Sequence, residues 1–346
     1  MHKKIMSLLL LTATCQATAN AQQDAKQTTE QRLEQLEKQL ATLEAKDASD
    51  DKLVTLGGRL QIDANIFDGV YNADNQGHTG STIFPRRARL SADGERDELE
   101  YKLILEFAEE TIGILLLRFE YNGFENGPTI KFGKIREDIA MDALTSSKHM
   151  ALIERSSVAN TMSPYSRRGV AANQYFESTG LRYAVGAYKN DAFGAEGTDE
   201  DSALSLAYTG RVTWSQQLTN DTRVHVGSWV SHRKMDESTL APAFARAEVR
   251  ETNVRRVNYA AGGDAAAVDS LTQYGVEAAY QYNNLILQSE YAQRTINTTD
   301  PTSLLDGERY NGYYLLASYM LTGETKHYST GSARFSVYTP RTEVQK

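Results

Sequence analysis

Cysteine is nearly missing from this sequence: Cys15 is the single one in 346 residues. That excludes a disulfide framework and a multi-thiolate metal site. Proline is scarce at six and tryptophan at two. No run reaches the ~18 consecutive apolar residues of a transmembrane helix, and the run Ile112 to Leu117 is far shorter. Excess positive charge is lacking too. The net charge is −8, which leaves no strongly basic face to meet nucleic acid. Catalytic signatures do not occur: there is no HExxH, GxSxG, GxxxxGKS, GxxxxGKT or strand-linked GxGxxG. The six histidines are scattered, and His225 and His232, seven apart on an expected strand, fall on opposite faces. No enzyme, cofactor or metal site is therefore expected.

What is present begins with the start of the chain. Met1 to Lys4 is basic, Ile5 to Ala13 is a short apolar run, and Ala19-Asn20-Ala21 is an A-x-A site. This predicts a secretory signal peptide cut after Ala21. Cys15 follows Thr14 rather than a small Gly or Ala, which argues against a lipoprotein anchor. Gln22 to Asp51 is polar, with Leu33, Leu36, Leu40 and Leu43 spaced 3, 4 and 3. That spacing predicts a short coiled coil, with a single solvated helix as the alternative, since two heptads are marginal alone. The expected division is 1–21 signal peptide, 22–56 helical segment, 57–340 β-domain and 341–346 tail.

From Gly57 the period changes to two. Leu60, Ile62, Ala64 and Ile66 alternate with Arg59, Gln61, Asp63 and Asn65. Tyr101, Leu103, Leu105 and Phe107 make a second apolar face, Tyr274 to Tyr282 a third, and Tyr313 to Leu321 a fourth. Turn signals separate such segments at Asp93-Gly94, Tyr121-Asn122-Gly123, Asn283-Asn284 and Asp306-Gly307. Alternating segments of about ten residues predict a transmembrane antiparallel β-barrel. A soluble β-sandwich, the competing architecture, has shorter strands at closer spacing. About thirteen or fourteen such segments fit between Gly57 and Tyr338 at roughly ten residues each. Gly194 to Ser202 and Val257 to Ser270 read as surface loops. Pro128 to Arg168 alternates only at its opening, and in a barrel an insertion of this kind can fold into the lumen.

Arginines cluster inside this acidic chain. TIFPRRARLSA, Thr82 to Ala92, holds Arg86, Arg87 and Arg89. As a strand it puts Arg87, Arg89 and Ser91 on one face and Ala88, Leu90 and Ala92 on the other. Arg59 lies on the polar face of the first strand, and Arg167-Arg168 precede another. Arg246, Arg250, Arg255 and Arg256 share one run. Arginines gathered on the polar faces of several strands could line a pore and select anions, because guanidinium binds two oxygens at once. Alternatively they pair with carboxylates across strands or face lipopolysaccharide phosphates.

GGRLQIDANIFDG (Gly57 to Gly69), PRRARL (Pro85 to Leu90), KFGKIRED (Lys131 to Asp138), LTSSK (Leu144 to Lys148), IERS (Ile153 to Ser156) and YYLLASYMLTGE (Tyr313 to Glu324) occur in that order. The set resembles the phosphate-selective porin O and P family from about Gly57 to Pro340. The resemblance implies an outer-membrane barrel of about sixteen strands, assembled as a homotrimer. It implies passage of phosphate, polyphosphate or other inorganic anions, and contact with outer-membrane lipid and lipopolysaccharide. A general or sugar-type porin without anion selectivity, or a soluble periplasmic β-rich binding protein, is the alternative. By the same resemblance Arg59 belongs to an arginine ladder, Arg86 and Arg87 stand at the constriction, and Arg155 and Arg246 line the pore. Two positions depart from the family: Ala143 where phosphate-specific members carry lysine, and Phe244 where a basic residue would fit. Family members also continue past LTGE and end on an aromatic residue, whereas this chain ends at Lys346. The expectation is a truncated reading or a smaller barrel.

Overall fold

A computed structural model describes residues 54–66, 82–108, 112–189, 205–238 and 268–339. The coiled-coil expectation, the signal peptide, Gly194 to Ser202 and the run containing Arg246 lie outside them.

Twelve strands form one antiparallel sheet in sequence order: β1 (Thr55–Asn65), β2 (Thr82–Arg96), β3 (Leu99–Glu106), β4 (Gly113–Tyr121), β5 (Thr129–Arg136), β6 (Ser166–Phe176), β7 (Leu181–Lys189), β8 (Leu206–Thr219), β9 (Thr222–Ser238), β10 (Val268–Tyr282), β11 (Leu285–Thr298) and β12 (Arg309–Tyr319). A separate hairpin pairs β13 (Thr325–Ser329) with β14 (Arg334–Thr339). Each sheet strand pairs with its neighbour in sequence, so turn chemistry sets the register. Short turns at Asp97-Glu98, Asn220-Asp221 and Asn283-Asn284 gather at one end of the sheet. Asn283 and Asp97 have positive φ there, as Asn and Asp tolerate best. The longer connections, 137–165 among them, leave from the other end. Asp93-Gly94 is not a turn: both residues lie inside β2, and the chain reverses at Asp97. Val268 to Ser270, expected in a loop, begins β10.

The two faces differ sharply. Leu60, Ile62, Val185, Val212, Val230, Val276 and Leu315 are exposed on one face. Arg182, Arg211, Arg233, Gln273, Glu277 and Arg294 are buried on the other. This is the reverse of a water-soluble sheet, whose apolar face is the covered one. An exposed apolar band running across the strands, with a polar interior, is the pattern of a sheet in lipid. Among the described residues no helix is long and apolar enough to cross a membrane, so the strands do the crossing.

What buries the polar face is the connection 137–165. Its helices are single turns or little more: α1 (Met141–Leu144) and α2 (Ser157–Met162). Ser156 caps α2 by accepting from the Ala159 amide at 3.1 Å. Ile139, Ala140, Ala143, Ala159 and Met162 pack on Trp229 of β9 and Ala292 of β11. The same connection reaches β1 and β2, where Arg59 and Arg89 donate to Ser147. One segment thus touches both ends of the strand order, so the sheet curls around it. The inward fold expected of Pro128 to Arg168 is what the chain adopts after β5.

The β13–β14 hairpin lies on the same inner face. Tyr328, Ala333 and Phe335 pack with Met141, Ala279 and Ile286.

Candidate functional site: arginines on the inner face

Alternation predicts one arginine of the Arg86-Arg87 pair on each face. The β1–β2 register pairs Gln61 with Arg87 and Ile62 with Pro85, so Arg86 is one residue extra. This β-bulge lets two consecutive side chains turn inward. Arg86 is fully buried between the carboxylates of Asp63 and Glu154. Arg87 donates to Gln61 Oε1 at 2.8 Å.

Several inner arginines meet a carboxylate. Arg89 pairs with Glu106 at 2.5 Å and Arg118 with Glu120 at 3.0 Å. Arg211 binds Glu277 at 2.5 Å and Asp138 at 2.9 Å, and Arg182 holds the same Asp138 at 2.7 Å. Arg233 pairs with Glu137. These pairs pin the start of the inner segment to β7, β8 and β9. Burial alone would raise the Asp138 carboxyl, but Arg182 and Arg211 outweigh it and hold it well below the usual carboxylate range. Glu290 of β11 accepts both opening amides of α1, from Met141 at 2.9 Å and Asp142 at 2.7 Å.

Four arginines stand apart. Arg59 donates to Ser147 Oγ at 2.8 Å. Arg136 donates to the Ala143 carbonyl at 2.7 Å. Arg155 donates to the carbonyls of Asp142 at 3.1 Å and Thr145 at 2.6 Å. Arg334 of β14 has a buried Nη1 without a hydrogen-bond partner. Neutral oxygens orient the first three, and none of the four forms an ion pair with a described carboxylate. They also act on one another electrostatically: Arg155 on Arg59, Arg136 and Arg334, and Arg334 on Arg136. His149, in the same connection, reports the local field. Burial first, then Arg334, Lys326, Lys148 and Arg59, push its imidazole below the ordinary histidine value. Charge held by neutral dipoles attracts an anion more strongly than charge already paired with a carboxylate.

Of the arginines expected from sequence, the structure brings Arg59 and Arg155 into this cluster. Arg86 and Arg87 lie on the inner face among Asp63, Glu154 and Gln61. Arg246 lies outside the described residues. Arg136 and Arg334 were not anticipated. Arg136 ends the strand in KFGKIRED, where alternation stops and acids begin, and that break was a usable signal. Arg334 enters through the tertiary placement of the hairpin, for which the sequence offers none. Ala143 sits in the apolar cluster with Trp229, so this position adds no charge.

A lipid-facing apolar sheet curled around a charged interior defines an outer-membrane β-barrel channel. The family model described as phosphate-selective porin O and P matches residues 54–344, and the chain belongs to that family. It is an outer-membrane porin. Porin O of Pseudomonas aeruginosa is 24% identical over 317 residues, covering 86% of this chain and 71% of that protein. Among solved structures, in-vitro folded OmpT of Vibrio cholerae is similar at a TM-score of 0.39 and 13% identity, covering 83% of this chain and 92% of its own. The outer membrane channel DcaP of Acinetobacter baumannii is similar at a TM-score of 0.33 and 15% identity, over 77% of this chain and 96% of its own.

Proposed function

We propose that this porin passes small inorganic anions passively, with phosphate as the leading candidate and no covalent chemistry. The observation that carries this reading is the set Arg59, Arg136 and Arg155, held by hydroxyl and carbonyl oxygens rather than carboxylates, together with Arg334, whose buried Nη1 has no hydrogen-bond partner. Fixed positive charge in a low-dielectric wall lowers the entry barrier for an anion, and several weak sites let it leave. Arg86, Arg87 and Arg246 extend this lining. Polyphosphate falls in the same chemical class. In this reading the signal peptide is cleaved after Ala21, the leucine heptads form a coiled coil, and three chains assemble around lipid and lipopolysaccharide. The short turns face the periplasm and the longer connections the outside, as in other outer-membrane barrels.

A second reading has its own support. Arg86, Arg89, Arg118, Arg182, Arg211 and Arg233 all pair with carboxylates. A pore dominated by those pairs would be a general or sugar-type channel with little charge preference. The zero-current potential of the purified, refolded protein in a planar bilayer under a KCl gradient separates the two. Anion selectivity is the expected result. A neutral or cation-selective potential would discard the arginine mechanism and leave the general pore. Competition of chloride current by phosphate then tests the named ion, which Ala143 alone does not decide.

A further inference from the structure

Two features of the lipid-facing side meet on β5, β6 and β7. The first is an apolar depression of about 470 Å³. Its outward side chains are Ile130 of β5, Val170 and Ala172 of β6, Val185 and Ala187 of β7, and Tyr208 of β8. The register sets them in two rows. Phe132, Val170, Ala187 and Tyr208 are successive partners across four strands, and Ile130, Ala172 and Val185 form the next row. Each row dips at an alanine between larger neighbours, Ala187 in one and Ala172 in the other. The apolar surface is hollowed there.

The second feature is a set of three cations at the end from which the longer connections leave. On β5, Lys134 lies two residues beyond Phe132 and so shares its face. On β6, Arg168 lies two residues before Val170, and on β7, Lys189 lies two beyond Ala187. Lys134 and Arg168 are direct register partners. Lys189 follows Tyr188, which pairs with Gly169. Arg168 is exposed, and the two lysines are half-buried. The cations stand roughly 7 Å along the strands from the first apolar row and about 13 Å from the second. Like charges directly opposite repel, and an anion between them turns that repulsion into attraction.

We propose that this surface is a lipopolysaccharide site: the phosphates of one lipid A moiety rest on Lys134, Arg168 and Lys189, and one of its acyl chains lies in the depression. The proposal rests on the orientation given above, in which the longer connections face outside and this end meets the outer leaflet. It does not depend on the ion preference of the pore. Guanidinium and ammonium groups take phosphate through charge-assisted hydrogen bonds. An ordinary phospholipid supplies chains with less negative charge. A second copy of this chain would supply apolar side chains without phosphate. The glycolipid matches both features at once.

The refolded full chain in detergent micelles is offered lipid A, dephosphorylated lipid A or phosphatidylglycerol, and retained lipid is counted by native mass spectrometry. Lipid A is expected to be held one per chain, more tightly than the other two. Arg168→Gln with Lys189→Gln should weaken it about ten-fold or more. Ala187→Phe, which fills the hollow and keeps the face apolar, should weaken it as well. Equal retention of lipid A and phosphatidylglycerol, or retention that neither variant changes, overturns the site. An Ala187→Cys chain that oxidises to a dimer, where the unaltered chain does not, gives the hollow to a second copy and overturns it too. Orientation is read separately, on intact cells, with a membrane-impermeant maleimide and Leu304→Cys, a position 85% exposed in the connection 299–308. Labelling without lipid A binding overturns the site and leaves the orientation standing. Lipid A binding without labelling overturns the orientation, and with it the outer-leaflet partner.

Discussion

Arg86 and Arg155 are both buried arginines on the inner side, yet they carry opposite expectations. Arg155 is held by two carbonyls, so Arg155→Gln subtracts one charge and the hydrogen bonds to Asp142 and Thr145 but exposes no carboxylate. The anion-to-cation permeability ratio should fall several-fold, read as a reduced zero-current potential. Arg86 offsets one of the two carboxylate charges of Asp63 and Glu154, so Arg86→Gln also removes the cation that bridges them. Its effect should be larger, and the triple variant Asp63→Asn, Arg86→Gln, Glu154→Gln should recover most of the loss. His149 adds a pH dependence. Its depressed pKa keeps it neutral at pH 7, and it gains charge only below the ordinary value of about 6.5. Anion selectivity should rise as pH falls through that lowered value. His149→Gln should flatten the profile.

At the scale of elements, the connection 137–165 depends on a few charges. Asp138 serves two buried arginines at once. Its carboxyl is depressed, so the contribution is present above the unfolded pKa of about 3.9 and is lost only as pH falls through the lower folded value. The anchor should survive mild acid. Asp138→Asn should cost about 3–5 kcal/mol, since two buried guanidiniums lose their shared partner. Denaturant unfolding in micelles, together with increased noise in single-channel current, would register it. Elements were unevenly legible in the sequence. Leu60-Ile62-Ala64 and Tyr313-Leu315-Ala317 declare their outer face by period alone, because lipid on one side leaves one solution. Gly94 signals a turn but lies inside β2, because a glycine within a strand carries the same local signal. The partners of Asp138 lie 44 and 73 residues away, a distance at which no local pattern operates. For the same reason the split between paired and uncompensated arginines could not be read from spacing.

The whole molecule is organised by an inversion of the soluble rule, with charge inside and apolar side chains outside. Leu315 is 76% exposed on β12, beside Tyr313 at 78%. In water such a face would be a liability, and in a bilayer it is the solvated one. Leu315→Arg should therefore destabilise insertion by about 2–4 kcal/mol if the residue lies near the membrane midplane. Reversible folding into lipid vesicles measures this. A soluble β-sheet protein would tolerate the same change on an exposed position with almost no loss.

The extra residue in β2 has an evolutionary consequence. The β1–β2 register steps over Arg86, from Gln61–Arg87 to Ile62–Pro85, and the pairs on either side of it are regular. Loss of its single codon would leave Arg87, Arg89 and Ser91 facing the lumen and Ala88, Leu90 and Ala92 facing lipid. A gene of this kind can add or delete one unit of charge at a chosen height in the wall by a three-base change. It need not rewrite the hydrophobic code of the strand, so such a position is a natural place for related pores to diverge in the ions they prefer.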